Sequence, residues 1–472
     1  MLTQIADGRT RHTTCTSSPF SLVSSPPPSF TSFWPRVREF AVPPSMIEKA
    51  TARRDVGDWA GACSAANFDV DLSPRTVAHT HGRLIAAQLR SDLRHLAPDL
   101  LRWHMPRIAP DGLLRPGLTL ALARYDAADR DGVRPLHLVA RTPPAWADAG
   151  QRISLALWDG SHSGTGASRH PHPHPHPRFR LDLHRHLWDV RRAGELRVRS
   201  GGDGGPARDP VAVSDALETA VRGLRCAVDR WADEAALLLR ADGRPAGPVG
   251  VRLGAGRRLV LEPGGDAYPD VGTGTELPVL PDAATWVLPD LDLIRSGTVE
   301  AGRLHPLVAA ALAPGCPRAT APATPRAGQP RIVECRGAQH RIGLVDGALA
   351  PLDHDPAEVR REELLAALSG TPLPCLQAID QAHRRPDSLT GVRERLDHGD
   401  VDGALAVVES LLGPEALLRD GPLRDELETA AHRRVVHGLY RAGLIGSGPS
   451  PTRAAVKARH GVRSHPRHSS TR

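Results

Sequence analysis

The chain has 472 residues, enough for two or three domains of ordinary size. Its formal net charge is +7, of which residues 447–472 contribute +6 and residues 1–45 contribute +2, leaving −1 for residues 46–446. A nearly neutral body with only 4% aromatic residues argues against a dedicated nucleic-acid-binding domain. The basic tail predicts at most weak nucleic-acid association, because it has no aromatic residue for base stacking.

Cysteine usage and hydropathy predict a soluble protein of the reduced cytosol. No Cys-x-x-Cys pair occurs, and the first ten residues lack the basic flank and apolar run of a secretion signal. No window approaches the roughly 18 uninterrupted apolar residues of a membrane span, so no membrane partner is expected. The six cysteines are Cys15, Cys63, Cys226, Cys316, Cys335 and Cys375.

Both ends of the chain are predicted to be disordered. Residues 1–45 are rich in Ser, Thr and Pro and show no hydrophobic periodicity. Because helical periodicity begins just after Met46, this segment is also consistent with a start codon assigned too far upstream. Residues 447–472 carry six cations and no acid, which is typical of a solvated tail.

An eight-residue pattern occurs twice, at Asp55–Ala62 and at Asp397–Ala404, with five identical positions. In each copy a glycine can end one helix in the left-handed conformation, and the following aspartate can cap the next helix. The pattern therefore predicts two tight helical hairpins. The glycine and alanine in the first turn of each second helix suggest that a neighbouring helix approaches closely there.

Between the hairpins the periodicity changes from helical to alternating. Ser73 followed by Pro74 is typical of a helix start, and apolar residues continue at helical spacing to Leu96. Alternating segments joined by short turns favour an antiparallel meander. A long amphipathic helix is predicted from Ser214 to Trp231, with its apolar stripe on a sheet. The predicted strands are 118–122, 136–140, 153–157, 249–253, 258–261 and 285–288.

A segment rich in Ala, Pro and Thr, residues 314–330, is predicted to link two domains. Residues 46–313 form a mixed domain, and residues 331–446 combine a small β element with a helical bundle. The predicted fold class is α+β: a helical N-terminal hairpin and a long helix with a small antiparallel sheet, then a mainly helical C-terminal domain. In this domain we predict strands 332–335, 340–345 and 349–352 and helices 357–368, 389–396, 401–412 and 423–439.

Alternating histidine and proline at residues 170–177 first suggests metal binding. Proline at every second position favours polyproline II, whose three residues per turn direct successive histidines away from one another. We therefore interpret the tract as a low-complexity insertion in a surface loop. Weak, adventitious metal binding is the alternative.

Four residues with metal-ligating side chains lie in the second domain: Cys335, His340, His354 and Cys375. Their spacings match no structural zinc pattern, so core packing is the default interpretation. Cys335 and His340 also suggest a nucleophile and its base, although positions on short strands are more typical of packing. Asp353 and Asp355 precede a predicted helix, and one of them is expected to cap it.

Asp290 and Asp292 follow an apolar segment and are candidates to hold a divalent cation at a strand end, although a third acid is missing. The glycines at 264–265 and 272–274 lack the flanking residues of a phosphate-binding loop and are interpreted as turns. No nucleophile-elbow, zincin or kinase signature occurs. The sequence therefore assigns no catalytic, cofactor-binding or metal-binding residue.

Residues 92–104 and 333–341 resemble segments of uncharacterised proteins from streptomycetes. The resemblance covers most of residues 46–446 and implies an actinobacterial source. It names no activity, fold or site, and therefore no functional residue is carried over.

The leading functional hypothesis is a cytosolic, non-enzymatic adaptor that binds another protein through its helical hairpins. The alternative is an enzyme of unrecognised type that uses acids and histidines of residues 290–354, namely Asp290, His305, His340 and His354. A third hypothesis is weak nucleic-acid association through residues 447–472.

Overall fold

In the computed structural model, the chain is an α+β protein with small, mostly antiparallel sheets. The structure describes residues 33–129, 132–148, 150–160, 170–202, 217, 220–254, 257–262, 267–269, 277–316, 331–335, 337–345, 348–369, 373–384, 389–412 and 417–444. The predicted basic tail, the glycine clusters near 264 and 272, and most of the predicted linker lie outside these ranges.

Most helices of the described residues are short, and eight of them start at a proline. Proline fits the first turn because its missing N–H has no intrahelical partner there. They are α1 (Trp34–Phe40), α2 (Pro44–Asp55), α3 (Trp59–Ala65), α4 (Pro74–Thr80), α5 (Arg83–His95), α6 (Pro98–His104), α7 (Leu196–Arg199), α8 (Trp231–Ala241), α9 (Asp282–Thr285), α10 (Pro289–Arg295), α11 (Pro306–Leu312), α12 (Pro356–Ser369), α13 (Pro374–Arg384), α14 (Leu389–His398), α15 (Val401–Leu412) and α16 (Pro422–Arg441).

The strands form four separate sheets. They are β1 (Phe68–Val70), β2 (Arg107–Ile108), β3 (Leu113–Leu114), β4 (Thr119–Asp129), β5 (Gly132–Arg141), β6 (Ile153–Trp158), β7 (Val249–Arg252), β8 (Arg258–Leu261), β9 (Ala267–Pro269), β10 (Arg331–Cys335), β11 (Ala338–Val345) and β12 (Ala348–Pro351). The largest sheet has the order β1-β6-β5-β4, and β4 to β6 form the antiparallel meander predicted from the alternating pattern. The predicted hairpin of β7 and β8 and the three short strands β10 to β12 are confirmed as well.

The main hydrophobic core joins the first six helices to the β4–β6 meander. Strand β1 pairs in parallel with β6, Phe68 opposite Ile153, and so attaches the first helical hairpin to the sheet. A second core packs α8 on the β7–β9 sheet, with Trp231 fully buried. A third core lies inside the C-terminal bundle of α14, α15 and α16.

The repeated pattern forms the same hairpin twice. Asp58 Oδ1 accepts a hydrogen bond from Gly61 N (2.8 Å), and Asp400 Oδ1 accepts one from Gly403 N (3.0 Å). Gly57 and Gly399 both adopt the left-handed conformation, with φ of +78° and +86°. Both predicted hairpins, α2–α3 and α14–α15, are confirmed down to their caps.

A glycine stands three residues after each capping aspartate, and the structure explains it differently from the sequence pattern. A Cβ on Gly61 or on Gly403 would lie 2.1 Å from the carboxylate of the capping aspartate. Glycine is favoured because an added Cβ would push the aspartate carboxylate out of its capping position. The sequence pattern had instead suggested that a neighbouring helix approaches there.

Residues 33–45 correct the prediction that residues 1–45 are disordered. They form α1 and the start of α2, and Phe33, Trp34 and Val37 are buried in the main core. The apolar spacing of this short helix is hidden by the Ser- and Pro-rich sequence before it. Residues 1–32 lie outside the described residues.

Three other predicted elements are wrong. The helix starting at Pro74 divides into α4 and α5, because Gly82 adopts a φ of +90° between them. The predicted helix to Trp231 is interrupted, since Val228 lies in a 3-10 turn and α8 begins only at Trp231. The predicted strand 285–288 is reduced to an isolated antiparallel bridge between Trp286 and Cys226, in the extended connection that follows the end of α9. Within the described residues, no helix is both long and apolar enough to cross a membrane.

Candidate metal centre

Strand register places Cys335 and His340 on one face of the β10–β12 sheet. Cys335 is the last residue of β10 and pairs with Ala338, while Val333 pairs with His340. Paired residues and residues two apart share a face, so Cys335 and His340 are diagonal neighbours. Gly337, with a φ of +79°, permits the turn between the strands.

His354 lies in the segment between β12 and α12, which is anchored on both sides. Asp353 accepts hydrogen bonds from Arg341 N and from the Arg341 guanidinium, both at 2.7 Å. The arginine lowers the pKa of Asp353 to about 2. On the other side, Asp355 Oδ1 accepts a hydrogen bond from Ala357 N (2.8 Å). The predicted aspartate cap is therefore confirmed, and Asp355 provides it.

Cys375 completes a group of three. It is the second residue of α13, and its Sγ lies 3.6 Å from His354 Nε2. One ligand atom each from Cys335, His354 and Cys375 lies within 4.8 Å of the other two, and the described residues hold no other such group. Both cysteines are fully buried, and the His354 side chain is 5% exposed.

The protonation state of Cys375 would change if a metal were bound. Burial and the neighbouring Cys335 raise the pKa of Cys375 to about 11, so the metal-free thiol is protonated at neutral pH. A bound cation would displace that proton and stabilise the thiolate. His354 Nδ1 lies 3.9 Å from Glu358 Oε2, in the position where metal-binding imidazoles commonly meet a carboxylate.

His340 lies beside this group without belonging to it. Its ring stacks on that of His354, with centroids 4.2 Å apart and an interplanar angle of 18°. Its Nδ1 is buried and has no hydrogen-bond partner among the described residues. A buried polar nitrogen of this kind is costly unless something satisfies it.

The predicted carboxylate pair has a different role. Asp290 lies in the first turn of α10, not at a strand end, and accepts hydrogen bonds from Arg38 Nη2 (2.7 Å) and Trp103 Nε1 (3.0 Å). Asp292 lies 3.5 Å from Arg225. Because Arg38 already compensates the charge of buried Asp290, this carboxylate has no need of a cation.

The acids and histidines predicted to act together fall into two groups. His305 Nε2 contacts Asp99 Oδ2 at 3.0 Å, and its Nδ1 accepts a hydrogen bond from Leu307 N. This pair lies in the main core near Trp103, together with Asp290. His340 lies instead on β11 and His354 in the segment before α12, beside the two cysteines.

The histidine and proline tract packs against the largest sheet. His170 is buried, and its Nε2 is 2.8 Å from the carbonyl oxygen of Thr142. His176 N donates to the carbonyl oxygen of Thr119, and the His174 ring contacts Trp158. The interpretation as a simple surface loop is therefore wrong for His170, which is a structural residue.

A cleft of about 140 Å³ lies between the two hairpins. Its lining includes Lys49, Arg152 and Arg433, each of which already has an acidic partner. These three charges are compensated within the chain, while Arg434 adds a further cation to the lining.

Sequence reasoning identified all four residues of the metal region but rejected them on spacing. The spacing is irregular because strand pairing and the return of α13 bring the ligands together, not a single compact loop. Comparison with family models, curated proteins and solved structures finds no match for this chain.

Proposed function

We propose that the unit formed by residues 331–384 binds one transition-metal ion, zinc in the first place, through Cys335 Sγ, His354 Nε2 and Cys375 Sγ. The observation that supports this proposal is the convergence of three buried ligand atoms from three separate elements. Two thiolates and one imidazole suit zinc and do not suit Mg²⁺ or Ca²⁺, which prefer oxygen ligands.

The distance between His354 Nε2 and Cys375 Sγ fits tetrahedral coordination of zinc. With Zn–S near 2.3 Å and Zn–N near 2.0–2.1 Å, sulfur and nitrogen ligands lie roughly 3.6 Å apart. His354 Nε2 and Cys375 Sγ are 3.6 Å apart. A simple S–H···N hydrogen bond fits this one distance equally well, but it does not explain why a second thiol converges on the same point.

A structural role follows from the small size of the local core. Its buried residues are Cys335, Leu373 and Cys375, and Ile332 of β10 is 61% exposed. A metal joining β10, the segment before α12 and the start of α13 would stabilise a unit that buries little apolar surface. Helix α13 in turn contacts α15 and α16.

The test is the zinc content of the full chain, purified under reducing conditions without chelator and measured by mass spectrometry of the metal. We expect about one zinc per chain in the wild type and loss of that zinc in Cys335→Ser and Cys375→Ser. Cys316→Ser, at an exposed cysteine, is the matched control. A wild type that neither retains zinc nor takes it up on titration would refute the proposal.

A variant with His172, His174 and His176 all replaced by alanine separates the two metal hypotheses. Retention of zinc in this variant, together with its loss in the cysteine variants, assigns the metal to the cysteine group. The reverse pattern would assign it to the histidine and proline tract and would contradict the proposal.

The adaptor hypothesis stays a prediction, and the structure narrows which residues are available for it. The turn of the second hairpin is occupied within the chain, whereas Val56 in the first turn is 78% exposed. Under the adaptor hypothesis the exposed hairpin turn is that of α2–α3. Loss of partner capture in Val56→Glu would support its use.

A further inference from the structure

We infer that His340 supplies the fourth ligand of the metal centre, so that the site is closed and has no coordination position for water or substrate. This inference rests on the proposed metal binding. It determines whether the proposed site is structural or catalytic. Zinc sites with four protein ligands are structural, whereas sites with three protein ligands and a water are catalytic.

The backbone brings His340 to the group. Its position on β11 is fixed by pairing with Val333, two residues before Cys335, so its side chain leaves the same face of the sheet. The ring already contacts His354, with centroids 4.2 Å apart. Strand pairing and the ring contact together place His340 next to two of the three proposed ligands, Cys335 and His354.

The Nδ1 atom of His340 is buried and lacks a partner within the described residues. A metal ion would satisfy this nitrogen. Nearby acids are less suited: Asp353 is held by Arg341, and Glu358 approaches Nδ1 of His354, the nitrogen that is not directed at the thiols. Of these three side chains, His340 is the one with a buried nitrogen that has no partner among the described residues.

Ligation requires one local movement. An imidazole binds a metal in its own ring plane, and the two rings are only 18° from parallel. One ion cannot lie in both planes in this arrangement, so the His340 ring must turn about its side-chain bonds and leave the stack. Metal binding therefore exchanges a stacking contact for a coordinate bond.

The experiment replaces zinc with Co²⁺ in the full chain and follows its visible absorption as azide is added. We expect the wild-type spectrum to be unchanged by azide, because no position is open. In His340→Ala the spectrum should shift with azide. Cobalt affinity should fall at least about tenfold, because mutation of residues that only hydrogen-bond to metal ligands already lowers metal affinity 10–100-fold. His432→Ala, at an exposed histidine of α16, should behave as the wild type.

A second variant guards against simple loss of folding. His340→Cys should retain cobalt and show the stronger sulfur-to-metal charge-transfer absorption of three thiolates. If it shows the absorption of two thiolates, or if azide shifts the wild-type spectrum, His340 is not a ligand. A wild type that takes up no cobalt would instead refute the metal site itself, and with it this inference.

Discussion

The turn of the first hairpin lies in open space, whereas the turn of the second is packed against the N-terminal half of the chain. A Cβ on Gly57 would meet nothing within 4 Å, but one on Gly399 would lie 1.8 Å from the carbonyl oxygen of Gly150. Asn67 Nδ2 donates to the carbonyl oxygen of Gly399 (3.1 Å). The same local structure therefore serves once as a free surface and once as an internal contact.

The difference arises at the residue before the glycine. It is Val56 in the first copy and His398 in the second; Val56 is 78% exposed and His398 only 1%. The carbonyl oxygen of His398 accepts a hydrogen bond from Arg102 Nη2 (2.8 Å). Local sequence builds the hairpin, and its surroundings determine what each residue contributes to stability.

The largest effect is expected from Gly399→Ala. The substitution introduces a side chain at a left-handed residue and forces the backbone of Gly150 away, which should lower the free energy of unfolding by about 2–5 kcal/mol. Gly57→Ala has the same backbone strain without the contact and should cost about 1 kcal/mol. Urea unfolding of both variants measures the difference, and equal losses would contradict the docking of the second turn.

Acid should weaken the second turn and not the first. Burial, then the charges of Arg107, Arg102 and Arg36, lowers the pKa of His398 to about 3, while Glu394 lies 3.9 Å from its Nε2. Because the folded pKa is below the unfolded value of about 6.5, the stability contributed by neutral His398 is complete above pH 6.5 and is lost as the pH falls towards 3.

The substitution His398→Val makes the second turn resemble the first. Between pH 7 and pH 5 it should lose about 2 kcal/mol less unfolding free energy than the wild type. Val56→His, which places a histidine on the exposed turn, should leave the wild-type profile unchanged. An unaltered profile in His398→Val would show that other buried histidines account for the acid sensitivity.

The two capping aspartates should differ more modestly. Asp58→Ala and Asp400→Ala each remove one cap and one arginine contact, but the Asp400 side chain is 6% exposed and that of Asp58 is 38% exposed. We expect a loss of about 2 kcal/mol for Asp400→Ala and about 0.5–1 kcal/mol for Asp58→Ala. Thermal unfolding of both variants gives the order, and a reversed order would contradict the comparison.

The smallest difference is expected between Gly61→Ala and Gly403→Ala. Each new Cβ would displace the local capping aspartate, so both should cost about 1 kcal/mol whatever surrounds the turn. A much larger loss in Gly403→Ala alone would mean that a neighbouring helix, not the cap, excludes a side chain there.

The hairpins could be predicted from sequence because their geometry depends on residues within one turn. The structure adds an arginine to each copy: Arg53 contacts Asp58 at 3.2 Å, and Arg395 contacts Asp400 at 2.8 Å. Arg53 stands two residues before Asp55, and Arg395 stands two residues before Asp397. The repeat can therefore be extended by an arginine at its N-terminal end. The docking of the second turn could not be predicted, because its partners lie some 300 residues away.

The metal region shows the same limit for different reasons. The sequence indicated the strands and named Cys335, His340, His354 and Cys375, but it could not place α13, which returns Cys375 to the sheet. Asp290 illustrates the opposite error. The nearby Asp292 suggests a cation site, whereas the partner of Asp290 in the structure is Arg38, 252 residues away.

Arg102 has consequences for the order in which the chain folds. Fully buried, its guanidinium donates to the carbonyl oxygens of Ala41, Gln151 and His398, the last of them 296 residues further along. At ribosomal rates of 5–20 residues per second, this last acceptor is synthesised roughly 15–60 s after the arginine. During that interval Nη2 of Arg102 lacks its native acceptor and is hydrated. The hydrogen bond forms only when the second hairpin docks.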